Sequence, residues 1–311
     1  MKKTKVFLVT GFLGAGKTTV VKNLIEATKK MNDKKIGVII NEFGRINVDA
    51  QTINEDGFEI TEINNGSIFC KCLEGTFVDH IVKLKSYGLD YLFVESSGLS
   101  DPSNMESIMN HVNKLSDMAF SYSGIFCIVD AKYFPKLRKT LITVEKQVLS
   151  ASIILINKTD LVNPQELENV VTSVNKLNPF ARIITSVYGK LPEDILFSPI
   201  NTITPKDITS FNTPGNRPDI ILLKSSGLIS DEFIVNFIKN LGDDILRLKG
   251  FARFDDGFYH IEAVGNEYKS EKTSLIRSET ELVVIPYPNV SIRDKVTEYL
   301  SNYTGWNFEI I

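Results

Sequence analysis

Cysteine is scarce in this chain: 311 residues contain three, Cys70, Cys72 and Cys127. So few thiols build no disulfide framework, and a reducing cytoplasm is the expected compartment. A basic excess is also missing. Against 38 Asp and Glu stand 35 Lys and Arg, a formal charge of −3 at pH 7, whereas a surface made for nucleic acid ordinarily leaves a positive balance. No apolar run approaches the ~20 residues of a membrane-spanning helix. The opening Met1-Lys2-Lys3-Thr4-Lys5 has the charge of a signal-peptide start. The apolar stretch behind it is short, however, and runs straight into a glycine-rich turn, so it reads as a core strand. Nucleic acid and membrane are thereby set aside as partners. What remains is an ordinary globular composition, 43% hydrophobic and 23% charged, with length for two domains and a sizeable core.

Gly11-Phe12-Leu13-Gly14-Ala15-Gly16-Lys17-Thr18 fits G-x-x-x-x-G-K-[ST], the phosphate-binding P-loop. Val6-Phe7-Leu8-Val9 before it reads as a buried strand. Thr19 to Lys30 after it reads as a helix with Val20, Leu24 and Ala27 on one face. Glycines let the backbone curl so that successive N–H groups and a helix N-terminus aim at phosphate oxygens. Gly11, Gly14, Ala15, Gly16, Lys17, Thr18 and Thr19 are therefore the expected phosphate site. Lys17 would reach the β- and γ-phosphates, and the Thr18 hydroxyl would hold Mg²⁺.

The base is specified some way downstream. Ile153-Ile154-Leu155-Ile156 is a β-branched run ending in Asn157-Lys158-Thr159-Asp160. An N-K-x-D at the end of a strand suits guanine. Asp160 can accept from both the ring N–H and the exocyclic amine, Asn157 can bond the base edge, and the Lys158 stem can cover the ring. Adenine has neither donor in those places, and an unpaired carboxylate discriminates strongly against it. GTP is the expected nucleotide, which sets aside a metabolic kinase. Thr185-Ser186-Val187 sits where a last strand would end; either its amides touch the base or it is a plain loop.

Short apolar runs without polar alternation recur at Ile36–Ile40, Tyr91–Val94, Ile125–Val129 and Ile153–Ile156, as in parallel sheets buried on both faces. Helical patterns lie between them at Thr76–Ser86, Met105–Leu115, Val144–Ser150 and Pro164–Leu177. The expected fold is α/β, a doubly wound and mostly parallel sheet in residues 1–200, with its ligand at the carboxyl ends of the strands. Prolines 192, 199, 205, 214 and 218 mark a looser stretch, and 201–218 is read as the linker. Residues 219–311 follow as a smaller α+β domain: a strand at Ile220–Lys224, a helix at Ser230–Leu241, strands near Leu246–Phe254, Tyr259–Val264 and Glu281–Ile285, and a helix at Ile292–Tyr303.

Between these anchors, Asn41-Glu42-Phe43-Gly44 closes the second strand and Glu95-Ser96-Ser97-Gly98 the third, both facing the expected γ-phosphate. The Gly98 N–H can sense that phosphate. Glu95 can meet Mg²⁺ through water or position the attacking water, since a carboxylate directly after Leu92-Phe93-Val94 is costly to bury without a partner. Glu42 is a weaker candidate, because strand ends often carry solvated carboxylates.

In these segments the chain resembles the CobW-type P-loop GTPases, which belong with the nickel-insertion GTPases of hydrogenase and urease maturation. Matching stretches are Gly11–Thr19, Asn41–Gly44, Asn64-Asn65-Gly66, Glu95–Pro102, Asn157–Asp160 and Leu246-Arg247-Leu248-Lys249-Gly250. The resemblance implies a slow GTPase that delivers a metal such as Zn²⁺ or Co²⁺, or assists a metallocofactor protein, with the nucleotide gating release. It implies a client metalloprotein or cofactor enzyme as partner, and a nucleotide-dependent dimer is one oligomeric option. The family's Cys-x-Cys-Cys is altered here: Ser67 and Phe69 replace the first two cysteines, Cys70 matches the third, and Cys72 has no counterpart. Two thiolates at Cys70 and Cys72 can reach one soft ion, with Glu42 or Glu74 adding oxygen, although Zn²⁺ usually takes four ligands. The family's histidine-rich stretch is absent, since His80, His111 and His260 lie far apart. A rival reading keeps the GTPase and drops the cargo, leaving a regulatory chaperone that docks on a corrinoid or other cofactor enzyme. Cys127, inside an apolar strand, is read as core.

Overall fold

The structure is a computed structural model that describes residues 2–31, 34–41, 59–63, 74–192, 194–196, 220–264, 267–274, 277–287, 290–302 and 308–311. They fall into two compact units. The linker expected at 201–218 lies outside the described residues.

The first unit runs β1 (Thr4–Gly11), α1 (Lys17–Lys29), β2 (Ile36–Asn41), β3 (Glu59–Ile63), α2 (Glu74–Leu84), β4 (Tyr91–Glu95), α3 (Met105–Leu115), β5 (Phe120–Asp130), α4 (Phe134–Thr140), α5 (Ile142–Leu149), β6 (Ile153–Asn157), α6 (Pro164–Leu177) and β7 (Arg182–Thr185). Its strands lie in the order β3-β2-β4-β1-β5-β6-β7, and every neighbouring pair is parallel. Side chains alternate across a strand, so the central β1 feeds two cores. Val6 and Leu8 pack with Phe77 and Ile81 of α2 and Ile108 and Met109 of α3. Phe7 and Val9 pack with Val20, Val21 and Leu24 of α1. Burial on both faces is why these strands are apolar throughout rather than alternating. The α/β doubly wound expectation holds. The apolar runs missed β3, whose Glu59 and Glu62 break the pattern, and the seven-residue α4.

The second unit runs β8 (Ile221–Ser225), α7 (Asp231–Leu241), β9 (Ile245–Phe254), β10 (Gly257–Val264), β11 (Glu267–Lys272), β12 (Thr280–Pro286), α8 (Arg293–Ser301) and β13 (Phe308–Ile310). It is an antiparallel sheet in the order β11-β10-β9-β12-β8-β13. Ser230 starts α7 by accepting from the Phe233 N–H at 3.1 Å, a cap that satisfies one orphan helix donor. Phe233, Phe237 and Leu241 of α7, with Val296 and Leu300 of α8, cover one face made by Leu223, Leu248, Ala252, Ile261 and Leu282. The strands β11 and β13 escaped the sequence reading. The first is Glu-Tyr-Lys-Ser-Glu-Lys, with no apolar alternation, and the second has three residues.

Gly250, in the Leu246–Gly250 stretch, is glycine for want of space: a Cβ there would stand 2.0 Å from the carbonyl oxygen of Glu281 on the neighbouring strand. Backbone cannot step aside as a side-chain tip can. Gly250→Ala is therefore expected to destabilise the second unit by about 1–3 kcal/mol, as overpacking does. Thermal unfolding followed by circular dichroism checks this, and an unchanged melting temperature would contradict the packing described.

Candidate functional site

At the carboxyl edge of the parallel sheet, β1 turns into α1 through the Gly11–Thr18 loop. Three glycines hold backbone angles that other residues resist: φ is +138° at Gly11, +74° at Gly14 and +104° at Gly16. Two of these positions are also closed sterically. A Cβ on Gly11 would lie 2.3 Å from the Ile128 carbonyl oxygen, and one on Gly16 would lie 2.5 Å from the Asn157 amide nitrogen. Phe12, Leu13 and Ala15 are buried and pin the loop from below. Gly16 caps α1 with no side-chain acceptor, and the first turn holds no acidic residue. The helix thus presents its positive end and its N–H groups to an anion. Lys17, only 7% exposed, donates from Nζ to the Phe12 carbonyl at 3.2 Å, which holds its charge over the loop. Thr19 is exposed on the first turn.

In the same first turn, the Thr18 hydroxyl donates to Glu95 Oε1 at 2.9 Å. Glu95 ends β4 in register with Val9 and is 2% exposed. The chain after it stays against the loop: the Ser96 N–H donates to Val9 O at 2.9 Å and its hydroxyl to Thr10 Oγ1 at 3.0 Å. A Cβ on Gly98 would stand 2.7 Å from the Leu13 backbone nitrogen. Glycine at 98 is therefore what lets this segment lie on the P-loop.

The N-K-x-D end is tied to the same loop. Asn157, 3% exposed, donates from its amide nitrogen to Ala15 O at 2.9 Å and accepts at its amide oxygen from the Gly189 N–H at 2.9 Å. One N–H and the oxygen of its side chain are thus engaged by backbone, and the amide carries a second N–H donor besides. Lys158 sits in the left-handed region at φ +61°, and its ammonium meets Asp130 Oδ2 at 2.7 Å. Asp130 also accepts from the N–H groups of Lys132 and Tyr133 at 2.9 and 3.1 Å. Asp160 lies exposed in the following single turn, Thr159–Leu161. The Thr185–Val187 segment is brought beside it, with Thr159 N–H donating to Ser186 O at 3.2 Å. Asn23 of α1 donates to the carbonyls of Tyr188 and Gly189 at 3.1 and 2.7 Å, so this loop is tied to the P-loop helix.

Gly11, Gly14, Ala15, Gly16, Lys17, Thr18, Glu95, Gly98, Asn157 and Lys158 thus gather at one edge. Glu42, Cys70, Cys72 and the Asn64-Asn65-Gly66 stretch lie outside the described residues. Among the described residues, no group of three or more His, Cys, Asp or Glu is placed to hold a metal. Cys127 is core, as expected, and burial pushes its thiol up to about 12 against the opposing field of Lys17, which keeps it protonated and unreactive. Asp130 is the site residue that sequence reading missed. The signal was available, a carboxylate directly after Cys127-Ile128-Val129, and is the same one that singled out Glu95. No helix of the described residues is long and apolar enough to cross a membrane.

A parallel sheet with a P-loop after its central strand and N-K-x-D two strands away defines a P-loop nucleotide-binding protein. The chain matches the family profile "CobW/HypB/UreG, nucleotide-binding domain" over residues 5–185 and belongs to that family. It is 30% identical over 204 residues to the zinc chaperone YjiA of Escherichia coli, covering 64% of this chain and 62% of that protein. It is 26% identical over 228 residues to the zinc-regulated GTPase metalloprotein activator 1 of Dictyostelium discoideum, covering 61% of this chain and 47% of that protein. The chain thus spans about half to three-fifths of these relatives. The crystal structure of Zn(II)-bound YjiA GTPase from E. coli aligns with a TM-score of 0.48 at 21% identity, over 97% of this chain and 99% of that one.

Since Asn157 joins Ala15 to Gly189, Asn157→Ala is expected to loosen both ends of the site at once. Two buried backbone groups would lose partners, a cost of about 1–3 kcal/mol each. Hydrogen exchange should speed up at residues 12–18 and 186–190 together. Faster exchange confined to one segment would refute the tie.

Proposed function

We propose that this protein binds and hydrolyses GTP, and couples its nucleotide state to delivery of a metal ion or to assembly of a metallocofactor protein. The observation that supports it most is the Thr18 hydroxyl lying 2.9 Å from buried Glu95 beside the uncapped start of α1. Two hard oxygens next to an anion-binding helix end fit Mg²⁺ with a nucleotide triphosphate. On this reading Gly14, Ala15, Gly16, Lys17, Thr18 and Thr19 receive the phosphates through backbone N–H groups and the Lys17 ammonium. Thr18 and Glu95 hold Mg²⁺, Glu95 directly or through water. The ion, when bound, offsets phosphate charge as the terminal group departs. The Gly98 N–H meets the γ-phosphate, and Asp160 accepts from the two guanine donors. Asn157 bonds the base edge while holding the base-binding strand to the P-loop, and Lys158, steadied by Asp130, lays its stem along the ring. Slow unaided turnover belongs to the proposal, since the sequence offers no evident arginine finger and a client is the natural source of the missing cation.

The relatives are named for zinc, which supports a zinc cargo here. We assign it as Zn²⁺, with Co²⁺ as the second choice, held at Cys70 and Cys72 with Glu42. The division of labour is a nucleotide domain over 1–200, a linker at 201–218 and a smaller domain over 219–311, working in the cytoplasm with a client metalloprotein. The altered cysteine motif, with Ser67 and Phe69 in place of two thiols, is the one observation that favours a GTPase docking on a cofactor enzyme without cargo. The names of the relatives weigh against it.

The base reading is tested at Asp160. Asp160→Asn should weaken GTP and improve binding of xanthosine triphosphate, whose 2-oxo group accepts from the new amide, by isothermal titration. Retained GTP affinity with no gain for the xanthine nucleotide would remove Asp160 from the base site. A wild type that prefers ATP would undo the reading altogether.

Metal coupling is tested at the thiols. Linkage requires that Zn²⁺ change GTP affinity by the same factor by which GTP changes Zn²⁺ affinity. Binding should also fade below roughly pH 6, where thiolates are lost to protons. The double variant Cys70→Ser, Cys72→Ser should abolish this coupling. Equal Zn²⁺ affinity in wild type and double variant would favour the cargo-free reading.

A further inference from the structure

The turn that follows Glu95 is gripped from behind by α5. Residues Ser97–Ser100 close on themselves, with the Ser100 N–H donating to Ser97 O at 3.0 Å. The side-chain amide of Gln147, in the last turn of α5, donates to Gly98 O at 3.1 Å and to Ser100 O at 3.0 Å. One NH₂ group has two N–H donors, so a single side chain serves both carbonyls. Ser97, Ser100 and Gln147 are each 1% exposed or less. The preceding residue of α5, Lys146, forms a second tie, its ammonium 3.8 Å from the Asp101 carboxylate in a buried ion pair. Asp101 is itself fixed by accepting from the Ser103 N–H at 3.0 Å. On the opposite side of the turn stands Leu13 of the P-loop, close enough that a Cβ on Gly98 would lie 2.6 Å from its side chain. The Gly98 peptide is therefore set between the phosphate loop and α5, with its position fixed by contact on one side and by hydrogen bonds on the other.

We propose that Gln147 is a positioning residue for the terminal phosphate. It fixes the Gly98 turn at the distance from the P-loop where the Gly98 N–H meets a γ-phosphate, and so sets the preference for triphosphate over diphosphate without touching the nucleotide. This inference rests on the GTP reading above and adds to it a route. A turn drawn toward the γ-phosphate pulls on Gln147 and Lys146, which are adjacent on one helix, so nucleotide state reaches α5. A glutamine suits the place because it is long enough to reach both carbonyls and carries donors, whereas glutamate of the same length would set acceptor against acceptor.

The test is Gln147→Met, which keeps length and burial but has no donor. Affinities for GDP and for a non-hydrolysable GTP analogue are measured by fluorescence, with single-turnover GTP hydrolysis alongside. GDP affinity should stay within about twofold of wild type. Analogue affinity and the hydrolysis rate should each fall about tenfold, the scale of one net hydrogen bond. Equal weakening of both nucleotides, or lowered thermal stability with discrimination intact, would overturn the proposal and leave Gln147 a packing residue. Should the variant fail to fold, the wild type decides the matter by hydrogen exchange. On replacing GDP with the analogue, residues 97–101 and 142–149 should change protection together, and a response in the first without the second overturns the route. A wild type that binds neither nucleotide brings down the GTP reading and the proposal with it. A wild type that binds and hydrolyses, beside an indistinguishable Gln147→Met, brings down the proposal alone.

Discussion

The side chain of Asn157 is the tie on which the site's geometry depends. It spans from Ala15 O to the Gly189 N–H, 2.9 Å each way, and so joins three loops that arise from β1, β6 and β7. The P-loop has three glycines at positive φ, and glycine has so many accessible angles that its surroundings must select among them. The amide supplies that constraint from one side, and the Gly11 approach to Ile128 supplies it from the other. Glycine at 16 is therefore doubly determined, by its backbone angle and by the Asn157 nitrogen that a side chain would strike. The P-loop and the N-K-x-D end are thereby joined along one edge of the sheet.

Electrostatics at that edge follow the same economy of parts. Lys17 and Lys158 are cations at that edge, and each is steadied by the protein: one by the Phe12 carbonyl, the other by Asp130. Asp130 accepts two backbone N–H bonds besides, so its carboxylate is well solvated by protein and carries Lys158 without leaving a buried charge unsatisfied. The left-handed backbone at Lys158, which costs about 1 kcal/mol for a side chain of this kind, is a price set against that pairing.

Much of this was legible in the sequence. The P-loop and N-K-x-D fixed the ends of two strands, and uninterrupted apolar runs identified a sheet buried on both faces. Legibility failed where stability comes from pairing instead of composition. β11 has a polar sequence and exists because β10 offers it a partner strand from Tyr259 to Val264. β13 is three residues long and is held by β8. The two ties of Asn157 to backbone were not legible, because motif spacing carries no information on which way an amide turns. Gln147 went unmarked because it holds the backbone of a distant segment, a relation that no local window contains, whereas Asp130 carried a local signal, a carboxylate closing an apolar run, that went unread.

The charged strand β11 also bears on how the second unit behaves in a crowd. An open antiparallel sheet ends in rows of unshared N–H and C=O groups that can recruit a strand from another molecule. Here one border strand alternates Glu, Lys, Glu and Lys around a single tyrosine, and the other is too short to template an extended match. A chain adding itself would meet a row of charged side chains at one border and run out of partners at the other. The sheet is thereby guarded against edge-to-edge growth, and this protection is written in residues that contribute little to the core.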